Sequence, residues 1–203
     1  MLQEAHLPMV INSKKGRTGY NGMTFDDAME LTRTVSSNTA FEDPECRLLF
    51  EIVTALPRDC AIIEIGCEYG RSSSIILQAA PEDADLQFID PFDNKESAWK
   101  WMKMARETGR HFTLYCRKSE EVYDPLFFNL IHIDGDHSRE GLLTDLDFLD
   151  YAFPGAYACF HDFNRASLPE VYPTVMEYMN AHPEWSLVAH VGTLGVFRKA
   201  IPQ

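Results

Sequence analysis

The sequence predicts an α/β protein: a doubly wound, seven-stranded, mostly parallel sheet with a C-terminal antiparallel hairpin strand. Three observations carry this. Short apolar runs ending in glycine or aspartate alternate with helical stretches of about 10–15 residues, the pattern of parallel strands and crossover helices. The first such run, Cys60-Ala-Ile-Ile-Glu-Ile65, feeds directly into a glycine-bearing turn. Near the C-terminus, two β-prone runs flank Val191-Gly192-Thr193, which reads as a hairpin.

Each element has its own signal. Thr24 followed by Asp26 and Asp27 marks a helix N-terminus, with a helix to about Ser37. Asp43-Pro44 opens a second helix, Pro at its first position, and Leu48, Leu49, Ile52, Val53 and Leu56 keep helical spacing. Strands follow over 60–65, 86–89, 112–116, 127–133 and 156–160. Helices are expected over 72–80, 97–107, 137–151 and 168–181, with a further helix after the third strand. Pro154-Gly155 is expected to turn the chain before the fifth strand. The hairpin strands are 185–190 and 194–198.

Residues 1–42 read as an N-terminal arm and helix, and 43–203 as the main domain. Residues 1–23 carry Lys14, Lys15 and Arg17 against Glu4 and read either as a disordered tail or as a lid over an acidic site. The whole chain of 203 residues has a formal charge of −13. That surface repels polyphosphate and anionic lipid, so neither nucleic acid nor membrane is an expected partner. Cys46, Cys60, Cys67, Cys116 and Cys159 form no CxxC pair, which argues against a disulfide framework or zinc ribbon. No run approaches the roughly 20 apolar residues of a membrane span. The first residues lack signal-peptide order. A cytoplasmic protein is expected, with homo-oligomerisation open.

In such sheets ligands bind beyond the carboxyl ends of the strands. The first end reads Glu64-Ile-Gly66-Cys-Glu68-Tyr-Gly70-Arg71-Ser72-Ser73. It fails the GxGxxG pattern at Glu68 and Arg71, and an acid there disfavours a pyrophosphate. Gly66 and Gly70 would allow close approach of a ligand with positive charge and few phosphates, such as S-adenosylmethionine (SAM). Asp90 ends the second strand at the spacing that suits a ribose diol, and Pro91 and Phe92 offer apolar surface to an adenine. Ser119 could cap a helix, meet an adenine edge, or both. The fourth and fifth strands end in His132-Ile-Asp134-Gly-Asp136-His137 and His161-Asp162. As neighbours, they would bring Asp134 and Asp162 together with His161 or Asp136. Converging carboxylates call for a cation or a shared proton, and Mg²⁺ or a similar divalent ion answers that. His132 reads as core packing, as does the helix bearing Trp99 and Trp101.

These residues together resemble a class I SAM-dependent methyltransferase, within it the subgroup called methyltransferase domain 24. The resemblance covers about residues 43–198. It rests on IIEIGCEYGRSS, FIDPF, the KSEE segment, IDGDHSREGLLTDLDFL and FHDF. It implies a Rossmann-like methyltransferase fold. It implies that Glu64, Gly66, Gly70, Ser72 and Ser73 surround the methionine part of SAM, with Asp90 on the ribose, Ser119 on the adenine and Asp134 nearby. Related metal-dependent O-methyltransferases carry carboxylates where Asp134 and Asp162 stand, though they more often have Asp-Asp or Asp-Asn in place of His161-Asp162.

The expected reaction is in-line methyl transfer, most simply O-methylation of a small molecule, with Asp134, His137, His161 and Asp162 as catalytic candidates. Either a divalent metal at Asp134 and Asp162 or His137 as general base would remove the acceptor proton. Two other enzyme classes fit less well. A metallophosphoesterase using HIDGDH and HD lacks a GNH-type loop, and only His182 and His190 follow. An iron oxygenase using His132, Asp134 and His190 belongs on an all-β fold. A catalytically silent SAM-binding protein is the non-enzymatic reading. Glu64, Glu68, Asp90, Asp134, Asp136 and Asp162 together predict an acidic cleft at one sheet edge. The acids at 82–85 and 145–150 read as solvated surface.

Overall fold

The computed structural model describes residues 19, 22–35, 41–122 and 126–202. The N-terminal arm with Lys14, Lys15 and Arg17, and with it the lid expectation, lies outside these residues.

The elements run α1 (Phe25–Val35), α2 (Asp43–Val53), β1 (Ala61–Ile65), α3 (Arg71–Ala79), β2 (Asp85–Ile89), α4 (Lys95–Thr108), β3 (Thr113–Tyr115), β4 (Phe128–Ile133), α5 (Arg139–Leu146), β5 (Ala152–Phe160), α6 (Val171–Ala181), β6 (Trp185–Val191) and β7 (Leu194–Lys199). The strands form one sheet in the order β3-β2-β1-β4-β5-β7-β6. All pairings are parallel except those of β7, which runs antiparallel to both β5 and β6. Strand order reverses direction between β1 and β4, which opens a crevice beyond their carboxyl ends.

The alternation along each strand explains the two cores. Ile62, Leu86, Phe88, Leu130 and Val196 point to one face, under α1 to α4. Ile63, Ile65, Ile131, Ile133, Phe160 and Phe197 point to the other, under α5 and α6. A strand buried on both faces is apolar at most positions, which is why β1 and β4 read as nearly continuous runs broken by Glu64, Asn129 and His132. Full burial of each such side chain contributes about 1.5–3 kcal/mol. α1 joins the first core through Ala28 and Met29, both fully buried. Thr32 and Ser74 share a 2.5 Å hydrogen bond between α1 and α3.

Three expectations needed correction. The helix expected over 137–151 is α5 only to Leu146, and the chain continues as a 3-10 turn over Asp147–Tyr151. Pro154-Gly155 does not precede β5 but lies inside it. There Gly155 takes φ +81°, and the register with β4 shifts between Phe128 and Leu130. Pro is tolerated in a strand at such a bulge. Among the described residues between β3 and β4 there is no α-helix; Ser119–Glu121 form one 3-10 turn whose N-cap is Lys118, so Ser119 is not a cap.

Candidate active site

The glycine turn is built from the inside outward. Gly66 takes φ +84°, and a Cβ on it would lie 2.0 Å from the Asp134 carbonyl oxygen. The missing side chain therefore lets the chain at the end of β4 approach, and Gly66 also stands on the cavity wall. Gly70, at φ +86°, leaves room for Trp101 and Met104. Glu64 is fully buried beneath the turn, where its carboxyl oxygens hydrogen-bond the Ser72 and Ser73 hydroxyls. Ser73 Oγ also accepts from Trp101 Nε1 at 2.8 Å. Burial pushes the Glu64 carboxyl up to about 8. Burial likewise pulls His132, whose Nδ1 is 3.6 Å away, down to about 4. The pair is neutral and belongs to the core.

Asp90 closes the turn from the β2 side. Its Oδ2 accepts the backbone N–H groups of Cys67 and Glu68, both at 2.8 Å. Its Oδ1 accepts that of Phe92 at 2.6 Å. A carboxylate that takes three backbone protons fixes the loop shape, whatever else it binds.

The second half of the site lies on β4, β5 and the residues after them. Register pairs Ile133 with Phe160, so Asp134, His161 and Asp162 emerge side by side. His161 is 3% exposed, and its Nδ1 lies 3.1 Å from Asp134 Oδ1. Its Nε2 is 3.7 Å from Glu45 Oε2. His137 Nε2 stands 3.4 Å from both Asp134 Oδ1 and Asp162 Oδ2. Arg165 Nη1 donates to Asp162 Oδ1 at 3.0 Å. Burial would lower His161, but Asp134 and Glu45 outweigh it and raise the imidazole to about 10. The Asp134 contact raises His137 as well, against its burial. Burial would raise Asp134, but His137 and His161 hold it well below the usual carboxylate range.

Glu45 was not foreseen. An acid in the first turn of α2 reads as a partner for the helix dipole. It is instead 1% exposed. Oε1 accepts the N–H and hydroxyl of Thr193 in the β6–β7 hairpin, at 2.6 and 2.9 Å. Oε2 accepts the Glu42 N–H at 2.5 Å.

One cavity of about 920 Å³ joins both halves. Of the expected residues, Gly66, Gly70, Ser72, Asp90, Ser119, Asp134, His137 and Asp162 stand on its wall. Glu64, Ser73 and His161 lie behind it. Wall acids outnumber its cations Arg71, Lys118 and Arg165. Of the residues at 145–150, Asp147 and Asp150 are exposed, but Asp145 is 2% exposed and lines the cavity. Glu68, Phe92 and Asp162, at φ 42°, 49° and 54°, are the described non-glycine residues in the left-handed region, and all three are on this wall. Trp99 is exposed and Trp101 fully buried, so neither faces the cavity.

Asp134, His161 and Asp162 each offer a ligand atom within 4.8 Å of the others. In the metal-free chain a divalent ion there would have to displace partners already present. His161 Nδ1 would have to give up the proton it shares with Asp134 Oδ1. His137 and Arg165 already sit against the two aspartates. The group contains none of His132, His182 and His190, on which the hydrolase and oxygenase readings depend.

Residues 63–163, about half of the chain, match the methyltransferase domain family Methyltransf_24. No curated protein matches the chain by sequence. Solved structures share the fold at low identity. The O-methyltransferase TomG from Streptomyces achromogenes, in complex with SAM, is 17% identical with TM-score 0.62, over 88% of this chain and 89% of that one. An O-methyltransferase from Bacillus cereus, in complex with SAH, is 13% identical with TM-score 0.61, over 87% and 90%. The N-methyltransferase NodS from Bradyrhizobium japonicum, also with SAH, is 15% identical with TM-score 0.58, over 85% and 97%. The strand order, the glycine turn on β1 and the matched domain agree, and the chain belongs to the class I SAM-dependent methyltransferases, in the methyltransferase domain 24 subgroup.

Proposed function

We propose that the protein transfers the methyl group of SAM to an oxygen of a small-molecule acceptor, with His137 as general base and no metal step. The observation that carries this reading is the position of His137 Nε2, 3.4 Å from two carboxylates on the cavity wall. SAM supplies the electrophilic methyl group. The acid-rich wall suits its sulfonium and ammonium charges, and Asp90 holds the turn in the shape that receives it.

The chain's own residues do the rest. Asp134 and Asp162 orient the His137 ring through Nε2, which leaves Nδ1 for the acceptor hydroxyl. As the oxygen attacks, its proton passes to Nδ1, and the two carboxylates stabilise the imidazolium that forms. His161 and Arg165 keep those carboxylates from repelling each other. The cavity aligns the attacking oxygen with methyl and sulfur, and alignment supplies most of the acceleration in a displacement of this kind.

Calorimetric titration with SAM and its thioether product, followed by methyl-transfer assays on small hydroxylated acceptors with and without EDTA, tests the reading. Binding of both and transfer insensitive to EDTA are expected. Absence of binding overturns the cofactor, and loss of transfer in EDTA, restored by Mg²⁺, overturns the metal-free step in favour of a cation at Asp134 and Asp162.

A further inference from the structure

Ser119 and Asp145 meet at one end of the cavity. Ser119 opens the 3-10 turn after β3, and Asp145 lies in the last turn of α5. Both line the wall, as do Pro91 and Phe92 at the end of β2. Ser119 Oγ donates to Asp145 Oδ1 at 2.6 Å. Asp145 is 2% exposed, and its Oδ2 is a buried oxygen with no hydrogen-bond partner among the described residues. That oxygen rests against Gly135, where a Cβ would lie 2.5 Å from it. Burial raises the Asp145 carboxyl to about 6, and as a carboxylate it can only accept, as Oδ1 does from Ser119.

The direction of the Ser119 proton follows. Turning it away from Asp145 would strip a buried carboxylate of its one side-chain donor among the described residues, a costly state. A serine hydroxyl has one proton and two lone pairs. With the proton committed to Asp145, Ser119 can offer the cavity only lone pairs.

We propose that Asp145 is a positioning residue that locks Ser119 as an acceptor, so that this end of the cavity selects a base edge bearing an amino group over one bearing a carbonyl. The inference rests on the SAM reading and deepens it: the 6-amino purine of the cofactor is favoured over its 6-oxo counterpart. The amino group donates to Ser119 Oγ. A carbonyl at the same place sets oxygen against oxygen and leaves both unpaired. Sites built around a hydrogen bond reject the mismatched analogue more strongly than apolar pockets reject a methylene.

The test is calorimetry with S-adenosylhomocysteine and S-inosylhomocysteine on the full chain, wild type, Asp145→Ala and Ser119→Ala. Wild type is expected to bind the adenosyl compound about tenfold or more tightly than the inosyl one. In Asp145→Ala the hydroxyl turns freely and serves either ring, so the ratio falls towards one. Ser119→Ala, which removes the acceptor and keeps Asp145, lowers the ratio as well and stands in if Asp145→Ala does not fold. If Asp145 only supported the fold, both affinities would drop together and the ratio would hold, which overturns the proposal. Equal binding of the two compounds to wild type also overturns it while leaving the SAM reading intact. Failure of wild type to bind either compound removes the SAM reading itself.

Discussion

His161 donates through Nδ1 to Asp134 Oδ1 at 3.1 Å, which ties the tip of β5 to the tip of β4. Asp134 therefore keeps a histidine partner behind the cavity wall when His137 in front is removed. His137→Ala should leave the cluster folded and cut only the proton transfer. We expect kcat to fall about 10²- to 10⁴-fold, the usual worth of a general base, with the Kd for S-adenosylhomocysteine within about twofold of wild type. Undiminished turnover would show that another group takes the proton.

Glu45 anchors this cluster from α2. Glu45→Ala leaves the Thr193 and Glu42 N–H groups without their carboxylate and takes away one of the three that face His161. The loss should destabilise the protein by about 2 kcal/mol or more. Urea melts read it directly. A variant that melts with wild type would mean the α2–hairpin contact carries no weight.

Asp90 gathers three backbone donors, so its removal acts on the loop before it acts on any ligand. Asp90→Ala is expected to weaken S-adenosylhomocysteine binding more than tenfold and to lower stability by about 1–3 kcal/mol. Binding within twofold of wild type would separate loop shape from affinity.

Glu64 gives stability a slope with pH. Its folded value is about 8 against an ordinary 4.5, so between these the folded chain holds a proton that the unfolded chain releases. This contribution is complete below pH 4.5 and is lost as pH rises through 8. The slope approaches about 1.4 kcal/mol per pH unit. Glu64→Gln removes it, so the variant should gain on wild type between pH 5 and pH 8 in urea melts. A stability difference that stays constant across that range would place the ionised form in the core.

Much of this was legible in the chain. β1 and β4 announced themselves because strands buried on both faces are mostly apolar, and Asp134 stands out by contrast at the end of β4. The His161-Asp162 and Asp134 meeting followed from strand order alone. What failed had physical reasons. Asp145 sits in an acidic run that reads as solvent-facing, and only the fold reveals that α5 turns this one acid inward while Asp147 and Asp150 face water. Glu45 reaches Thr193 across nearly the whole chain, a contact no local pattern encodes. Gly66 has a second reason to be glycine that no local pattern encodes: a side chain there would run into the Asp134 backbone. Gly155 passed for a turn because a bulge and a turn need the same residue.

The left-handed residues Glu68, Phe92 and Asp162 place the least relaxed stretches of the described backbone at the ends of three different strands, around one opening. Such conformations cost on the order of 1 kcal/mol or more each. Glycine at any of the three would relax the chain and strip the opening of a carboxylate or an aromatic ring. Selection for thermal endurance and selection for turnover thus pull these positions in opposite directions. Glycine substitutions that make this protein hardier at these three positions would be expected to make it idle.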